Sequence, residues 1–451
     1  MLVEGWLSRA AAARPGHPAL VTPAGTWSYS DLLHAASAGA GQLARAGVGP
    51  GDRVGIALPG GLPFAQALHA CLLMGAVAVP LDVRLTADER ARLAGAAALV
   101  IDEPLETPAG GAGTSGRDPA RDTHELDAPA VVLHTSGTSA APREVELTYG
   151  NFLWSALGSA VALGSRPDES WLCALPVSHV GGLSILVRCA IYATSAVVHE
   201  RFETDRVLHA LRTQKVTLVS LVATTLARLL DAGLTEPPDL RCALTGGGPV
   251  PEALLRRAKR ARVPVALTYG LTEACSQVTT TPGCELSLAL TAPGPALFCV
   301  RVAIAAGADS PDGEILVAGP TVAPGARGDD GWLHTGDMGR LEGDGRLRVT
   351  GRLSETIISG GENVAPAEVE AALEAHPDVL EAAVIARSDA SWGEAVTAVV
   401  VARPGHELDG EQLRAHCKRR LAPFKVPREV VLREEPLPRT RSGKLLRRQL
   451  R

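Results

Sequence analysis

Apolar runs and segments of helical period take turns along most of this chain. Residues 53–58 read as a buried strand, 62–73 as a helix and 76–80 as a second strand. The alternation returns with a helix at 205–214, a strand at 217–221, a helix at 223–231, a strand at 242–245 and a helix at 252–260. Runs that are apolar without a break, such as 130–133, suit strands buried on both faces, as in parallel sheets covered by helices. The pattern therefore predicts an α/β fold of largely parallel sheets flanked by helices. Residues 104–123 are rich in Gly, Pro and Ser, have no period, and read as a surface loop.

The pattern changes near Gly351. Beyond it come a helix at 366–375, strands at 381–386 and 395–401, a helix at 410–421 and a basic tail. That is a compact α+β unit of about a hundred residues, within the usual domain range. The expected organisation is a large N-terminal domain, 1–351, and a small α+β domain, 352–451, with the boundary at 352–354. Asn363 and Pro366 suit a capped start to the first helix of the small domain.

Composition sharpens this only in places. The chain has 451 residues, too many for one ordinary core. Hydrophobic residues make up 46% and aromatic residues 3%, so the core is built mainly from Ala, Val and Leu. A formal charge of −5 supplies no basic field, which argues against nucleic acid as a partner. The eight cysteines show no CxxC spacing, so the expectation is reduced thiols with neither a zinc site nor a disulfide framework. The N-terminus carries an early acid and no long apolar block. The most apolar window, 67–81, contains His69 and Pro80 and is too short to span a bilayer. A cytoplasmic protein without membrane insertion is expected, and a homodimer is a compatible assembly.

Five short stretches carry chemistry. In HTSGTSAAPREVELTYGN, residues 134–151, Thr135, Ser136, Gly137, Thr138 and Ser139 follow a buried strand. Hydroxyls and backbone N–H groups on a tight turn donate to phosphate oxygens without bulk. The stretch lacks the spacing of an ordinary P-loop. GGGP, with Gly246, Gly247 and Gly248, lets backbone approach a flat ligand closely. TYGLTE, residues 268–273, ends in Glu273, a hard oxygen donor of the kind Mg²⁺ prefers. GWLHTGDMG, residues 331–339, holds Asp337, whose carboxylate accepts two hydrogen bonds. PRTRSGKLLRR, residues 438–448, sets Lys444 beside Gly443 in a basic tail. Taken singly, each has a plain alternative: a Ser/Thr turn, a surface turn with an incidental acid, a solvated charged end.

Their order along the chain resembles the adenylate-forming superfamily, which includes acyl-CoA synthetases, peptide-synthetase adenylation domains and luciferases. The resemblance covers nearly the whole chain. It implies ATP and Mg²⁺ as cofactors, coenzyme A as co-substrate and a carboxylic acid as the molecule activated. It further implies that Tyr269, beside Gly270, stacks on adenine, that Thr272 contacts phosphate, and that Glu273 carries the metal. Asp337 and Arg352 then bind the ribose, and Lys444 stabilises charge during attack on the α-phosphate. Glu355 stands at the hinge, where an Asp is commoner, and Gly360 and Gly361 lie beside the pantetheine tunnel of the family's second conformation. The small domain is thereby expected to be a mobile lid. The chain departs from the family at Ser139, Ala140 and Arg143, where a Thr-Gly pair and a Lys are usual. Arginine keeps the charge of lysine but not its shape.

Within the superfamily, residues 175–199, 268–280 and 359–370 are most similar to the bacterial o-succinylbenzoate–CoA ligases of menaquinone synthesis. That likeness places His179 near the reacting carboxylate. Arg188, on the helix after it, is a candidate partner for a second carboxylate, with a snorkelling surface arginine as its alternative. Ser276 and Gln277 join them as candidate acid-binding residues. Two other readings stay open: an enzyme of secondary metabolism that activates another aryl or acryl acid or uses an acceptor other than CoA, and a non-catalytic nucleotide-binding relative.

Overall fold

In the computed structural model the described residues are 1–107, 123–135, 143–284, 293–307, 311–359, 362–389, 393–439 and 445–450. They form two compact units. One comprises Met1–Val250, Leu254–Arg301 and Val317–Leu333; the other comprises Pro251–Ala253, Val302–Leu316 and His334–Arg451.

The first unit carries two large sheets. In the eight-stranded one the order is Ser276–Thr280, Val265–Leu271, Cys242–Thr245, Leu218–Leu221, Ser170–Cys173, Ser195–Val198, Pro18–Thr22 and Gly25–Ser28. Its inner pairs are parallel, and only the two outermost strands run antiparallel to their neighbours. The four residues of Leu218–Leu221 and of Cys242–Thr245 are all buried, Ser220 and Thr245 included, as strands covered on both faces should be. The helices Ala223–Asp231 and Glu252–Arg260 and the strand Cys242–Thr245 form where their patterns place them.

The second sheet runs Leu99–Ile101, Arg53–Ile56, Val77–Pro80, Pro129–Thr135, Arg143–Thr148, parallel except for its last pair. The helix Leu62–Met74 joins two of these strands. It is buried from Phe64 to Met74, carries a proline in its first turn and stops at Gly75, whose φ of 72° suits the left-handed cap. Residues 104–107 have no regular structure, and Thr123–Glu125 pairs with Leu2–Glu4. The rest of the loop expected at 104–123 lies outside the described residues.

Leu333–Leu341, in the second unit from His334 on, and Leu347–Arg352 form an antiparallel pair within a four-stranded sheet. The small α+β part follows. Val379–Asp389 and Gly393–Ala402 pair antiparallel and extend beyond the expected strands, and Glu429–Arg433 joins parallel to Gly393–Ala402. The helices Pro366–Glu374 and Gly410–Lys418 bury Val369, Leu373, Leu413 and Cys417 in a core with Val384, Val396 and Val400. The first of them starts from Ala365, with Pro366 in its first turn, and the side chain of Asn363 lies outside the described ones. The division by packing also takes 334–351 into the second unit, where Asp337 to Leu341 pair with Leu347 to Arg352 across a bulge after Met338.

Among the described residues Cys71, Cys173, Cys189, Cys275, Cys299 and Cys417 are free thiols, whereas Cys242 is disulfide-bonded. The expectation of thiols throughout therefore fails at Cys242. No helix of the described residues is long and apolar enough to cross a membrane.

Candidate functional site

Parallel strands deliver their following loops to one edge of a sheet, and ligands bind at that edge in open α/β sheets. Three stretches named above leave the eight-stranded sheet there. Ser170–Cys173 leads to His179, Cys242–Thr245 to Gly246, and the neighbouring Val265–Leu271 carries Thr268, Tyr269 and Gly270 at its end. From the other sheet, Arg143–Thr148 packs against the turn Thr272–Ala274. Thr135 stands directly opposite Arg143, and its Oγ1 donates to the Arg143 carbonyl at 3.4 Å. The first unit thus carries Thr135, Gly246 to Gly248, Tyr269, Gly270, Thr272 and Glu273 at the ends of its strands or in the stretches that follow them. Ser136, Gly137, Thr138, Ser139 and Ala140 lie outside the described residues.

The fold explains two of the glycines. A Cβ on Gly246 would stand 2.6 Å from both the carbonyl oxygen and Cγ2 of Thr268, and one on Gly270 would stand 1.7 Å from the carbonyl oxygen of Ser276. Gly270 sits where the register of Val265–Leu271 and Ser276–Thr280 shifts after Tyr269. The chain then turns sharply. Cys275 (φ 52°) and Ser276 (φ 93°) both hold positive φ without being glycine, strain that folds tend to keep at functional turns. Tyr269, Thr272, Glu273 and Ser276 are half-buried on this turn, and the Glu273 carbonyl accepts from Ala323 N–H at 2.8 Å. Among the described residues no three His, Cys, Asp or Glu side chains gather to hold a metal.

His179 precedes the helix Val180–Tyr192. The residue reaches solvent, yet protein atoms crowd around its ring. That crowding lowers its pKa below the usual imidazole value, Asp82 opposes the shift, and Arg84 adds to it. A neutral imidazole at pH 7 follows.

Arg188 is no snorkelling surface residue. It is 3% exposed, and no Asp or Glu among the described residues pairs with it. Nη2 donates to Ser155 Oγ at 2.9 Å, the guanidinium carbon lies 5.6 Å from the Trp171 ring centroid, and Nε has no hydrogen-bond partner. Burial lowers its pKa from the ordinary arginine value. Ser155 in turn donates to the Cys275 carbonyl at 2.6 Å, so the strained turn and the buried cation share one hydroxyl. Two residues on, Gln277 is buried; its Nε2 donates to Thr280 Oγ1 at 2.8 Å while Oε1 has no partner.

The second unit holds the other predicted pair. Asp337 and Arg352 are register partners, and Arg352 Nε meets Asp337 Oδ1 at 2.7 Å. The Asp337 N–H donates to Thr335 Oγ1 at 3.1 Å, which fixes the turn before it. The carboxylate is buried while the arginine is partly exposed, so Arg352 orients Asp337 from the solvent side. Lys444, with Thr440 and Gly443, and Gly360 and Gly361 lie outside the described residues.

Three contributors are not among the residues singled out from the sequence. Ser155 meets Cys275 across 120 residues, and Thr268 is the wall behind Gly246. Asn151, the last residue of the first motif, accepts from Thr148 N–H in a reciprocal helix cap and donates to the carbonyls of Pro320 and Val322. It is structural.

The two-part organisation with these stations defines a class. The AMP-binding enzyme model matches residues 7–326, and the model of the AMP-binding enzyme C-terminal domain matches 368–444. The chain belongs to the AMP-binding enzyme family and is an AMP-forming acid–CoA ligase. Among its relatives, the 2-succinylbenzoate–CoA ligase of Bacillus licheniformis is 38% identical over 99% of this chain and 98% of its own length. The o-succinylbenzoate CoA synthetase from Bacillus subtilis, in complex with its acyl-adenylate intermediate, superposes with a TM-score of 0.89 at 35% identity, covering 100% of this chain and 98% of that one. The same enzyme in complex with ATP and magnesium ion gives a TM-score of 0.88 at 35% identity, covering 100% of both chains.

Proposed function

We propose that this chain adenylates o-succinylbenzoate with ATP and passes the acyl group to coenzyme A, a step of menaquinone biosynthesis in the cytoplasm. One carboxylate oxygen of the acid attacks the α-phosphorus, and pyrophosphate leaves. The thiolate of coenzyme A then attacks the acyl carbon, and AMP leaves with the electron pair of the broken C–O bond. The observation that carries the choice of acid is Arg188, a buried cation with no acidic partner among the described residues, on the helix that His179 begins. Such a charge is costly to bury alone, and a substrate with a second carboxylate compensates it.

The remaining roles follow the chemistry of each group. Thr135, Ser136, Gly137, Thr138, Ser139 and Thr272 cradle phosphates, Gly246, Gly247 and Gly248 let backbone lie against the adenine, and Tyr269 stacks on it, next to Gly270. Asp337, oriented by Arg352, accepts from the ribose hydroxyls. Magnesium bound through Glu273 would neutralise phosphate charge. Lys444 stabilises the charge that builds on non-bridging oxygens and pyrophosphate as the carboxylate attacks. His179, neutral at pH 7, borders the reacting carboxylate without serving as its base, since an acid of pKa about 4 is already ionised. Ser276 and Gln277 line the acid with Arg188. Residues 352–451 act as a lid turning at 352–354, which admits the thiol after adenylation.

Pyrophosphate exchange into ATP across a panel of acids tests the reading. Exchange that requires o-succinylbenzoate supports it. Exchange only with another acid assigns the enzyme to secondary metabolism, a reading to which the atypical Ala140 and Arg143 would then belong, and silence with every acid would leave a nucleotide-binding relative without catalysis.

A further inference from the structure

The C-terminal tail is fastened to the second unit by more than apolar contacts. Leu437, Leu445 and Leu450 already seat it against Ala383, Ile385, Val399 and Val401. The chain on either side of 440–444 is also paired with itself: Arg439 bridges Leu445, and Leu446 N–H donates to the Pro438 carbonyl at 2.8 Å. Arg439 meets Glu381 at 2.8 Å.

Arg447, three positions beyond Lys444, adds a junction that this anchoring does not require. Its guanidinium forks onto Glu370, Nη1 to Oε1 and Nη2 to Oε2 at 3.0 Å. Nη1 also donates to the Val384 carbonyl at 3.2 Å, and Glu370 Oε1 accepts from Val384 N–H at 2.6 Å. The third arm, Nε, reaches Glu355 Oε2 at 3.2 Å. Side-chain exposures of 18% for Arg447, 14% for Glu370 and 32% for Glu355 leave the junction largely shielded, where a bidentate pair fixes geometry. One side chain therefore ties together the tail, the helix Pro366–Glu374 and the residue at the hinge position.

We propose that Arg447 is a positioning residue for adenylation. By clamping the tail to Glu370 and to Glu355, it sets where Lys444 is carried and links that placement to the hinge. Arg447 touches no substrate; it acts through Lys444, and the inference rests on the reading of Lys444 as the cation of the first half-reaction. A lysine that must meet developing charge is sensitive to displacements of about 1 Å.

The test separates the half-reactions in the full-length enzyme. Arg447→Met should lower kcat for acid-dependent pyrophosphate exchange by roughly ten- to a hundredfold, with KM for the acid unchanged. Thioester formation from supplied acyl-adenylate should stay within about twofold. Arg447→Lys, which keeps the charge but not the fork, should recover part of the loss. Glu370→Gln should give the same selective pattern, and Glu355→Gln added to Arg447→Met should cost little more, because both break one contact. Equal loss in both half-reactions, unchanged exchange, or additive effects of the two substitutions would overturn the proposal. If Arg447→Met does not fold, Glu370→Gln and Glu355→Gln decide by the same criteria. Lys444→Ala is the control for the underlying reading: exchange surviving in that variant removes the premise, whereas exchange lost there but kept in Arg447→Met removes only the role of Arg447.

Discussion

Arg188 and Gly246 show how differently single residues announce themselves. Gly246 stands in a GGGP run, and the structure supplies the reason in the 2.6 Å that separates its absent Cβ from Thr268. Gly246→Ala should destabilise the protein by about 1–3 kcal/mol through overpacking; a denaturation midpoint equal to that of the parent would contradict this. Arg188, by contrast, reads in the sequence as a helix residue either snorkelling or binding. Nothing in its neighbours along the chain reveals that it is buried, because Ser155, Trp171 and Cys275, which surround it, come from other elements. Its substitution has two expected consequences. Arg188→Met should raise KM for the diacid by about ten- to a hundredfold, the value of a charged hydrogen bond of about 1.5–3 kcal/mol, and leave KM for ATP unchanged. Without substrate, the same variant should melt at or above the parent temperature, since a buried charge lacking an acidic partner is replaced by an apolar chain of similar size. A large fall in melting temperature with an unchanged diacid KM would make Arg188 a structural brace of the turn at Cys275.

At the scale of elements, alternation and apolar runs made the parallel sheets of the first unit legible, because strands buried on both faces have few polar positions to obscure them. The small α+β part was legible in order but not in extent. Val379–Asp389 and Gly393–Ala402 outrun their apolar centres, since cross-strand pairing continues through Arg387, Ser388 and Asp389 to Glu394 and Gly393. The helix Pro366–Glu374 ends on an acid that periodicity does not distinguish. Burial, and then the neighbouring charge of Glu370, raise the Glu374 carboxyl from 4.5 to about 7. An acid with a higher pKa in the folded state contributes stability that is fully present below its unfolded value and lost as pH rises through the folded one. The window therefore runs from 4.5 to about 7. Glu374→Gln should remove this dependence, so the variant gains on the parent between about pH 5 and about pH 8. Urea midpoints of the two proteins that run parallel across that range would contradict the assignment.

Across the whole molecule, the adenylating chemistry was readable from five motifs in order, and the family was confirmed over 7–326 and 368–444. What the motifs did not disclose is how the ends of the lysine-bearing tail are held. Glu355, Glu370 and Arg447 are charged residues of ordinary kind, separated by up to 92 positions, and only folding joins them. Nor could spacing reveal that Cys242 is disulfide-bonded. The central claim is that this enzyme forms an acyl-adenylate of o-succinylbenzoate with the help of Lys444. Its most direct test is exchange of labelled pyrophosphate into ATP by the parent and Lys444→Ala enzymes, with o-succinylbenzoate as the only acid. The account predicts acid-dependent exchange by the parent, its loss in Lys444→Ala, and thioester formation from supplied acyl-adenylate in both. Parent enzyme that exchanges with a different acid but not with o-succinylbenzoate, or exchange that survives without Lys444, would contradict it.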